Sequence, residues 1–318
     1  MSSGRVSVII PAYNAEAYLA EAVASAVSDD WPEKEVLVFD DGSTDGSRAV
    51  ADRLQREQPG LVRVLAPPDG ANRGLSHARN ALLAAARGEF VAFLDADDAF
   101  LPGHLRRAVT ALQAAPQAAL VYGRVRVRAE GGSSWMDSDQ WGWGPGPGVV
   151  GNAFDLLLHR NFIPVPAVVC RREAVLDLGG FDTGLGFLQQ DYLLWTKLAY
   201  RHAVVYLDAV TSVYRVHPTS YSSRLDRETT ATAQEIEYLA RMSAWIPKDD
   251  AAARRGLRQA WREAADRILY RLYLAVRRGD GAGVAREARA LASAPVSAVL
   301  SSPARWHATR AQARALAR

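Results

Sequence analysis

The sequence lacks the features of disulfide-bonded, secreted and membrane-spanning proteins. Its single cysteine, Cys170, cannot form an intramolecular disulfide. No stretch approaches the roughly 18 consecutive apolar residues that a membrane helix needs. The apolar run at residues 6–10 is too short for a signal peptide, because Pro11 and polar residues follow it at once. We therefore expect a cytoplasmic protein whose contact with a membrane, where there is one, is peripheral.

Two signatures of nucleotide and nucleic-acid binding are also missing. The first predicted strand leads into PAYNAEAY instead of the glycine-rich fingerprint of dinucleotide-binding enzymes, which argues against an NAD-dependent dehydrogenase. No aromatic-rich RNA-binding signature accompanies the arginines near the C-terminus. We therefore expect no nucleic-acid partner.

Charge is unevenly distributed, although the net charge of the 318 residues is +3. Residues 251–318 contain 14 arginines, no lysine and 4 acidic residues and carry +10, whereas residues 1–250 carry −7. A solvated helical face is the commoner explanation of such a run of charge. The alternative is an anionic partner such as a membrane surface or a nucleic acid.

Apolar segments rich in β-branched residues alternate with helical patterns through the first 120 residues. This alternation predicts an α/β fold with a mostly parallel, doubly wound sheet and helices on both faces. The predicted strands are 6–10, 35–39, 62–66 and 90–94, and the predicted helices are 16–27, 47–56, 75–86 and 102–115.

The pattern changes after residue 120. Further strands are predicted at 120–128, 166–170, 203–207 and 212–216, and a helix at 189–200. The glycine- and proline-rich segment 130–148 predicts an irregular loop. Its Trp135, Trp141 and Trp143 suit a sugar platform, packing against the body or a membrane interface equally well. Apolar residues recur at helical spacing from residue 226, so we expect a domain at 1–225 and a basic helical region at 226–318.

Three carboxylates in FLDADDAF follow directly after a predicted strand. Residues two apart in an extended chain point to the same side, so Asp95 and Asp97 converge where open α/β sheets bind their ligands. Two unpaired carboxylates repel each other, and a divalent cation with oxygen ligands relieves that repulsion. The alternative is a solvated acidic turn in which Asp98 caps the next helix.

The segment FDDGSTDGS lies at the end of the second strand. It approximates the spacing of a calcium-binding EF-hand loop, but that motif follows a helix and ends in Glu. We expect Asp41 to accept hydrogen bonds from a ligand while Ser43 and Thr44 cap the following helix. Capping alone is the alternative.

Four further residues are weak candidates when each is taken alone. Tyr13 could lie against a planar base or simply pack. Arg79 could bind a negative charge or belong to an ordinary helix start. Asp191 begins an apolar helix, where the helix dipole alone would favour it. His217 is more often a surface histidine than a ligand.

Six segments in this order resemble the family 2 inverting glycosyltransferases of the GT-A fold, across about residues 5–220. They are VSVIIPAYN, DDGSTDGS, NRGLSHARN, FLDADD, QDYLLW and YRVHP. The resemblance implies metal-dependent transfer from a nucleoside-diphosphate sugar, with a UDP-sugar favoured, to a carbohydrate or lipid-linked acceptor in polysaccharide or glycoconjugate synthesis. The alternative is a non-catalytic nucleotide-sugar-binding or scaffold protein, which would not need Asp191.

The same resemblance implies a role for each site residue. Tyr13 stacks on the base, which Asp41 contacts, and Asp95 lies near the ribose. Asp97 ligates Mn²⁺ or Mg²⁺, His217 contacts the metal or the diphosphate, and Asp191 is the general base. Pro11, Arg79 and Ala96 complete the donor-binding set. Members commonly have Glu before the base, and Gln190 departs from this pattern.

Overall fold

The structure is a computed structural model that describes residues 4–130, 138–141, 147–185, 189–218, 220 and 227–295. Its chain divides into two compact units, residues 1–224 and residues 225–318. The first unit is built around a sheet, and the described part of the second is helical.

Strands and helices alternate along the first unit. Its strands are β1 (Val6–Ala12), β2 (Lys34–Asp40), β3 (Val62–Leu65), β4 (Phe90–Phe93), β5 (Ala99–Phe100), β6 (Ala118–Ala129), β7 (Ser138–Trp141), β8 (Gly148–Val150), β9 (Val168–Arg171) and β10 (Ala203–Val216). Its helices are α1 (Leu19–Ser28), α2 (Ser47–Glu57), α3 (Leu75–Ala85), α4 (His104–Ala114), α5 (Ala153–His159), α6 (Arg172–Asp177) and α7 (Gln190–Arg201).

One mixed sheet joins these strands in the order β3-β2-β1-β4-β9-β6-β10-β5, with β7 beside β6 and β8 beside β10. Strands β3, β2, β1 and β4 are parallel neighbours. Strand β9 is antiparallel to both β4 and β6, and β6 and β10 form a long parallel ladder. The predicted α/β fold is confirmed, and antiparallel strands join its second half.

Helices cover both faces of the central strands. Val8 and Ile10 of β1 pack in one cluster with Leu19 of α1 and Leu105 of α4. Ile9 points to the opposite face and is also fully buried. Burial of both faces explains why these strands show continuous apolar runs with little alternation.

Most predicted elements are confirmed, with small shifts at their ends. The strands predicted at 203–207 and 212–216 are a single strand, β10, whose ladder with β6 shifts register between Tyr206 and Val210. The shift interrupts the alternation of side chains, which is why the sequence suggested two strands. The short helices α5 and α6 have too few turns to show a clear helical period.

Two local expectations are wrong. Ser43 and Thr44 do not cap α2, whose N-cap position is Gly46. Instead the Ser43 hydroxyl accepts from the Asn14 backbone N–H at 3.0 Å, and the Thr44 N–H donates to the Asn14 side chain at 2.8 Å. The loop expected at 130–148 contains β7, and β8 begins at Gly148. Trp141 ends β7, whereas Trp135 and Trp143 lie outside the described residues.

The described part of the second unit comprises three helices, α8 (Arg227–Trp245), α9 (Ala251–Arg278) and α10 (Gly281–Ser293). Asp250 caps the start of α9, and Gly279, with φ 68° in the left-handed region, follows its last residue. The Trp261 indole N–H donates to the Ser243 hydroxyl at 2.9 Å, which ties α9 to α8. None of the described helices is both long enough and apolar enough to cross a membrane.

Candidate active site

The candidate site lies at the carboxyl ends of β1, β2 and β4. These strands are parallel neighbours, so their carboxyl ends reach the same edge of the sheet. The Asp41 backbone N–H donates to the Ala12 carbonyl at 2.9 Å, which joins the first two strand ends. Tyr13 follows β1 and is 51% exposed, whereas Pro11 and Ala96 are buried. An exposed aromatic ring at this edge suits the predicted stacking on a base, which stays a prediction.

Asp41 holds the turn that precedes α3. Its two carboxylate oxygens accept from the backbone N–H groups of Arg73 at 3.0 Å and Gly74 at 2.7 Å. Gly74 has φ 91°, a left-handed conformation that favours glycine. A carboxylate has about four lone-pair sites, so Asp41 keeps capacity to accept from a ligand. The predicted contact of Asp41 with the nucleobase of a donor therefore remains compatible with this structural role.

Asp95 forms an ion pair with Arg79. The Arg79 guanidinium donates to the Asp95 carboxylate at 2.6 Å, lies 5.2 Å from the Phe181 ring centroid and is 3% exposed. Burial raises the pKa of Asp95, Arg79 opposes the rise, and the neighbouring Asp97 carboxylate adds to it. The sequence suggested that Arg79 binds the donor. The structure places its positive charge beside the Asp95 carboxylate.

Asp97 and His217 are in contact although 120 residues separate them. The His217 Nε2 atom lies 3.1 Å from the Asp97 Oδ2 atom. The His217 side chain is 7% exposed and that of Asp97 is 31% exposed. The two predicted metal ligands therefore meet at the sheet edge, one from the end of β4 and the other from the end of β10.

Asp98 is buried beside this pair, and it does not cap α4. Helix α4 starts after Gly103 without a side-chain cap. One Asp98 oxygen accepts from the Arg215 backbone N–H at 2.8 Å, and the other is buried without a hydrogen-bond partner. Burial, with Asp97 and Asp95 adding to it, raises the pKa of Asp98 well above its usual value. The suggested solvated acidic turn is therefore wrong for Asp98.

Asp97, Asp98 and His217 provide part of the ligand set that a divalent cation needs. Asp97 offers an oxygen ligand and His217 a nitrogen ligand, and the orphaned oxygen of Asp98 lies in the same turn. Among the described residues, no cluster of three or more His, Cys, Asp or Glu side chains is arranged to hold a metal. A cation here needs further ligands, and substrate phosphates supply them in many Mg²⁺ sites.

Asp191 is the second residue of α7 and is partly buried. Burial raises the pKa of Asp191 to about 6, with Arg79 lowering it and Asp95 raising it. The Asn161 amide approaches one carboxylate oxygen at 3.5 Å, a long contact. A carboxylate with this pKa is mostly ionised at pH 7 and can still accept a proton efficiently. The charges of Arg79 and Asp95 both act on it, which links it electrostatically to the strand-end carboxylates.

Gln190 is buried and connects two helix starts. Its side-chain oxygen accepts from the Ser76 hydroxyl at 2.6 Å, which ties the first turn of α7 to the first turn of α3. Glu at this position would place a negative charge next to Asp191 and raise the pKa of the Asp191 carboxyl group further. The neutral amide of Gln190 keeps the buried hydrogen bond with Ser76 without adding that charge.

The sequence patterns do not single out Ser76, Asn161 or Arg215. Ser76 lies inside the NRGLSHARN segment, and Arg215 precedes His217 by two residues in YRVHP. In a strand, residues two apart project to the same side, so Arg215 could have been placed near His217. Asn161 lies in a loop, where the sequence carries no comparable signal.

Comparisons of sequence support the reading of these motifs. The family model described as "Glycosyl transferase family 2" matches residues 7–179, more than half of the chain. An uncharacterized glycosyltransferase of Nostoc sp., alr2836, is 44% identical over 109 residues, which cover 34% of this chain and 33% of that protein. The uncharacterized protein MT1568 of Mycobacterium tuberculosis is 28% identical over 269 residues, covering 77% of this chain and 76% of that protein. The chain thus matches about a third of the Nostoc relative and about three quarters of the mycobacterial one.

Two solved structures are similar in fold. S. aureus TarS 1–349 in complex with UDP-GlcNAc has a TM-score of 0.59 and 20% identity, covering 88% of this chain and 89% of that chain. The mannosyltransferase PcManGT from Pyrobaculum calidifontis, in complex with GDP-Man and Mn²⁺, has a TM-score of 0.58 and 20% identity, covering 93% and 87%. The likeness shows that the fold is that of the GT-A glycosyltransferases.

The Arg79–Asp95 ion pair generates a prediction about stability. Arg79→Met leaves the part-buried Asp95 carboxylate without its cation, and we expect the free energy of unfolding to fall by about 2 kcal/mol or more. Urea denaturation followed by tryptophan fluorescence measures this loss. Arg106→Met is the matched control, because Arg106 pairs with Asp30 at the surface, and its cost should stay below about 1 kcal/mol. Equal, small losses in both variants would show that the buried pair does not hold the fold.

Proposed function

Because this chain belongs to glycosyl transferase family 2, we propose that it transfers a sugar from a nucleoside-diphosphate sugar to an acceptor hydroxyl, with inversion at the anomeric carbon. Membership of a family of enzymes decides against the non-catalytic alternative. The observation that best supports the proposal is the placement of Asp191. A carboxylate whose pKa is raised to about 6 lies within the electrostatic reach of Arg79 and Asp95.

The donor is proposed to bind along the strand ends. Tyr13 would stack on the base, and Asp41, already fixed by the turn before α3, would accept from it. Asp95, oriented by Arg79, would bind near the ribose. The similar structures carry UDP-GlcNAc and GDP-Man, so these two donors are the first to test on this chain.

Asp97 and His217 are the residues proposed to hold Mn²⁺ or Mg²⁺. Such a cation supplies positive charge that offsets the charge developing on the departing diphosphate. A carboxylate and an imidazole in contact provide an oxygen and a nitrogen ligand from two separate strand ends. Ligands from two strand ends would orient a bound diphosphate relative to Tyr13 and Asp41.

Asp191 is proposed to accept the proton of the acceptor hydroxyl. The hydroxyl oxygen attacks the anomeric carbon, the bond from that carbon to the diphosphate oxygen breaks, and the electron pair leaves with the diphosphate. Attack from the face opposite the leaving group inverts the anomeric centre. The proton moves to the Asp191 carboxylate, which the start of α7 holds in place. The acceptor is proposed to be a carbohydrate or a lipid-linked sugar in polysaccharide or glycoconjugate synthesis.

The assignment of Asp191 as the general base generates a prediction about the reaction rate and its pH dependence. Asp191→Asn should reduce transfer or donor hydrolysis at least about 100-fold while donor affinity changes little. Asp191 is ionised above its pKa and protonated below it, so wild-type kcat/KM should fall as the pH drops through about 6. Assays with UDP-GlcNAc and GDP-Man across this pH range measure both effects.

The control for this test is Asp52→Asn, which removes a partly exposed carboxylate that pairs with Arg48 on α2. Its rate and pH profile should match those of the wild type. A wild-type rate in Asp191→Asn would remove Asp191 from the mechanism and point to another base.

The metal assignment generates a prediction about donor binding. Mn²⁺ should strengthen the binding of UDP or GDP to the wild type, and Asp97→Asn should abolish this increase because it removes a charged oxygen ligand. Calorimetric titrations with added Mn²⁺ and with EDTA measure the difference. Affinity that is equal under both conditions in the wild type would contradict the assignment.

The basic helical region is proposed to contact an anionic membrane surface from the cytoplasm. Residues 251–318 carry +10, and Arg255, Arg258 and Arg262 of α9 are exposed at positions that share one helix face. Division of the chain into a catalytic domain at 1–225 and this region at 226–318 is part of the same proposal.

The membrane contact can be tested on the full chain with vesicles. We expect the wild type to float with vesicles containing phosphatidylglycerol but not with vesicles of phosphatidylcholine alone. Replacing Arg255, Arg258 and Arg262 together with Gln should lower the bound fraction, whereas the same replacement of Arg48, Arg53 and Arg56 on α2 should not. Failure of the wild type to bind the anionic vesicles would refute the contact.

A further inference from the structure

One arginine binds the turn that carries the proposed metal ligand. The Arg215 backbone N–H donates to the Asp98 carboxylate at 2.8 Å, and the Arg215 Nε–H donates to the Asp97 carbonyl at 3.0 Å. Arg215 of β10 therefore binds two consecutive residues of the turn after β4, Asp98 through its main chain and Asp97 through its side chain. The Arg215 side chain is 14% exposed, so solvent competes little for these bonds.

The outer end of the same guanidinium is held by two carboxylates. Arg215 Nη1 donates to Glu130 at 3.0 Å, and Nη2 donates to Glu21 of α1 at 2.7 Å. A guanidinium is planar, always charged and has five N–H donors in a fixed fork, so three separate acceptors fix its orientation. Arg215 thus joins the turn to α1 and to Glu130, which directly follows β6.

Tyr18 packs against His217. Its ring centroid lies 4.5 Å from that of His217, and the Arg215 guanidinium carbon lies 5.2 Å from the same tyrosine ring. The Tyr18 hydroxyl donates to one Glu130 oxygen at 2.8 Å, while Arg215 donates to the other. The imidazole therefore contacts both a ring that Glu130 anchors and the Asp97 carboxylate.

We propose that Arg215 is a positioning residue. It holds Asp97 and His217 at the separation that lets them act as a pair of cation ligands. The inference rests on the proposed metal-dependent transfer. Asp97 and His217 come from different strand ends, and their 3.1 Å contact requires both ends to keep a fixed separation. Arg215 supplies the fixed separation, since it binds the Asp97 carbonyl directly and stands two residues before His217.

The test compares Arg215→Lys and Arg215→Met with the wild type. Lysine keeps the charge but cannot reproduce the fork, so both variants should bind Mn²⁺ at least about 10-fold more weakly, as for other residues that orient metal ligands. Free Mn²⁺ is measured by electron paramagnetic resonance in the presence of UDP or GDP. Thermal melts establish that each variant is folded at the temperature of the titration.

A role in positioning also predicts a specific kinetic pattern. Saturating Mn²⁺ should restore the kcat of Arg215→Lys to within a few-fold of the wild type, whereas it should not restore Asp191→Asn. The control is Arg106→Met, which likewise removes one contact to a carboxylate and one to a carbonyl, both on Asp30. Its Mn²⁺ affinity should equal that of the wild type.

The outcomes separate this inference from the assignment on which it rests. Wild-type protein that binds no Mn²⁺ with either nucleotide would refute the metal site and the inference together. Wild-type affinity for Mn²⁺ in Arg215→Lys would refute the inference alone. If both Arg215 variants fail to fold, Glu130→Gln takes their place, because it weakens the anchors of Arg215 and Tyr18 together. Unchanged Mn²⁺ affinity in that variant would also overturn the proposal.

Discussion

The repulsion among three carboxylates at the end of β4 is the constraint on which the site depends. Asp95, Asp97 and Asp98 crowd into four positions, and α3 and the end of β10 supply their partners. Arg79 of α3 pairs with Asp95, His217 contacts Asp97, and the Arg215 N–H binds Asp98. Burial makes this compensation necessary, because unpaired buried charges are costly. The same compensation draws α3 and β10 to the edge of the sheet.

Asp191 differs from Asp95 in the partners of its carboxylate, and this difference suits a base. Asp95 has a cation at 2.6 Å, whereas Asp191 has a long amide contact from Asn161 and the field of Arg79. Burial is the largest influence on both residues, and it raises the pKa of Asp191 to about 6. Carboxyl groups whose surroundings give them different proton affinities can divide ligand binding and proton transfer between them. The helix start that carries Asp191 is fixed in turn by the buried contact of Gln190 with Ser76.

Much of the fold could be predicted because its local signals are strong. Continuous apolar strands followed by amphipathic helices predict parallel strands covered on both faces, and β1 to β4 follow that pattern. The prediction fails where local signals are weak or misleading. Ser43 and Thr44 look like helix caps, yet they bind Asn14 across the strand ends. Strand β10 looks like two strands, because a register shift breaks its alternation.

The sequence by itself determined the α/β fold, the family and the residue types at the site, because periodicity and motif order are properties of the chain. The tertiary structure alone decided which of these residues touch. Arg79 could have been a donor ligand, yet its buried guanidinium lies against Asp95. Arg215 lies in YRVHP without a predicted role of its own, yet it joins Asp97, Asp98, Glu21 and Glu130. Such contacts span up to 194 residues of sequence, and they form only when the packed sheet brings separate strand ends together.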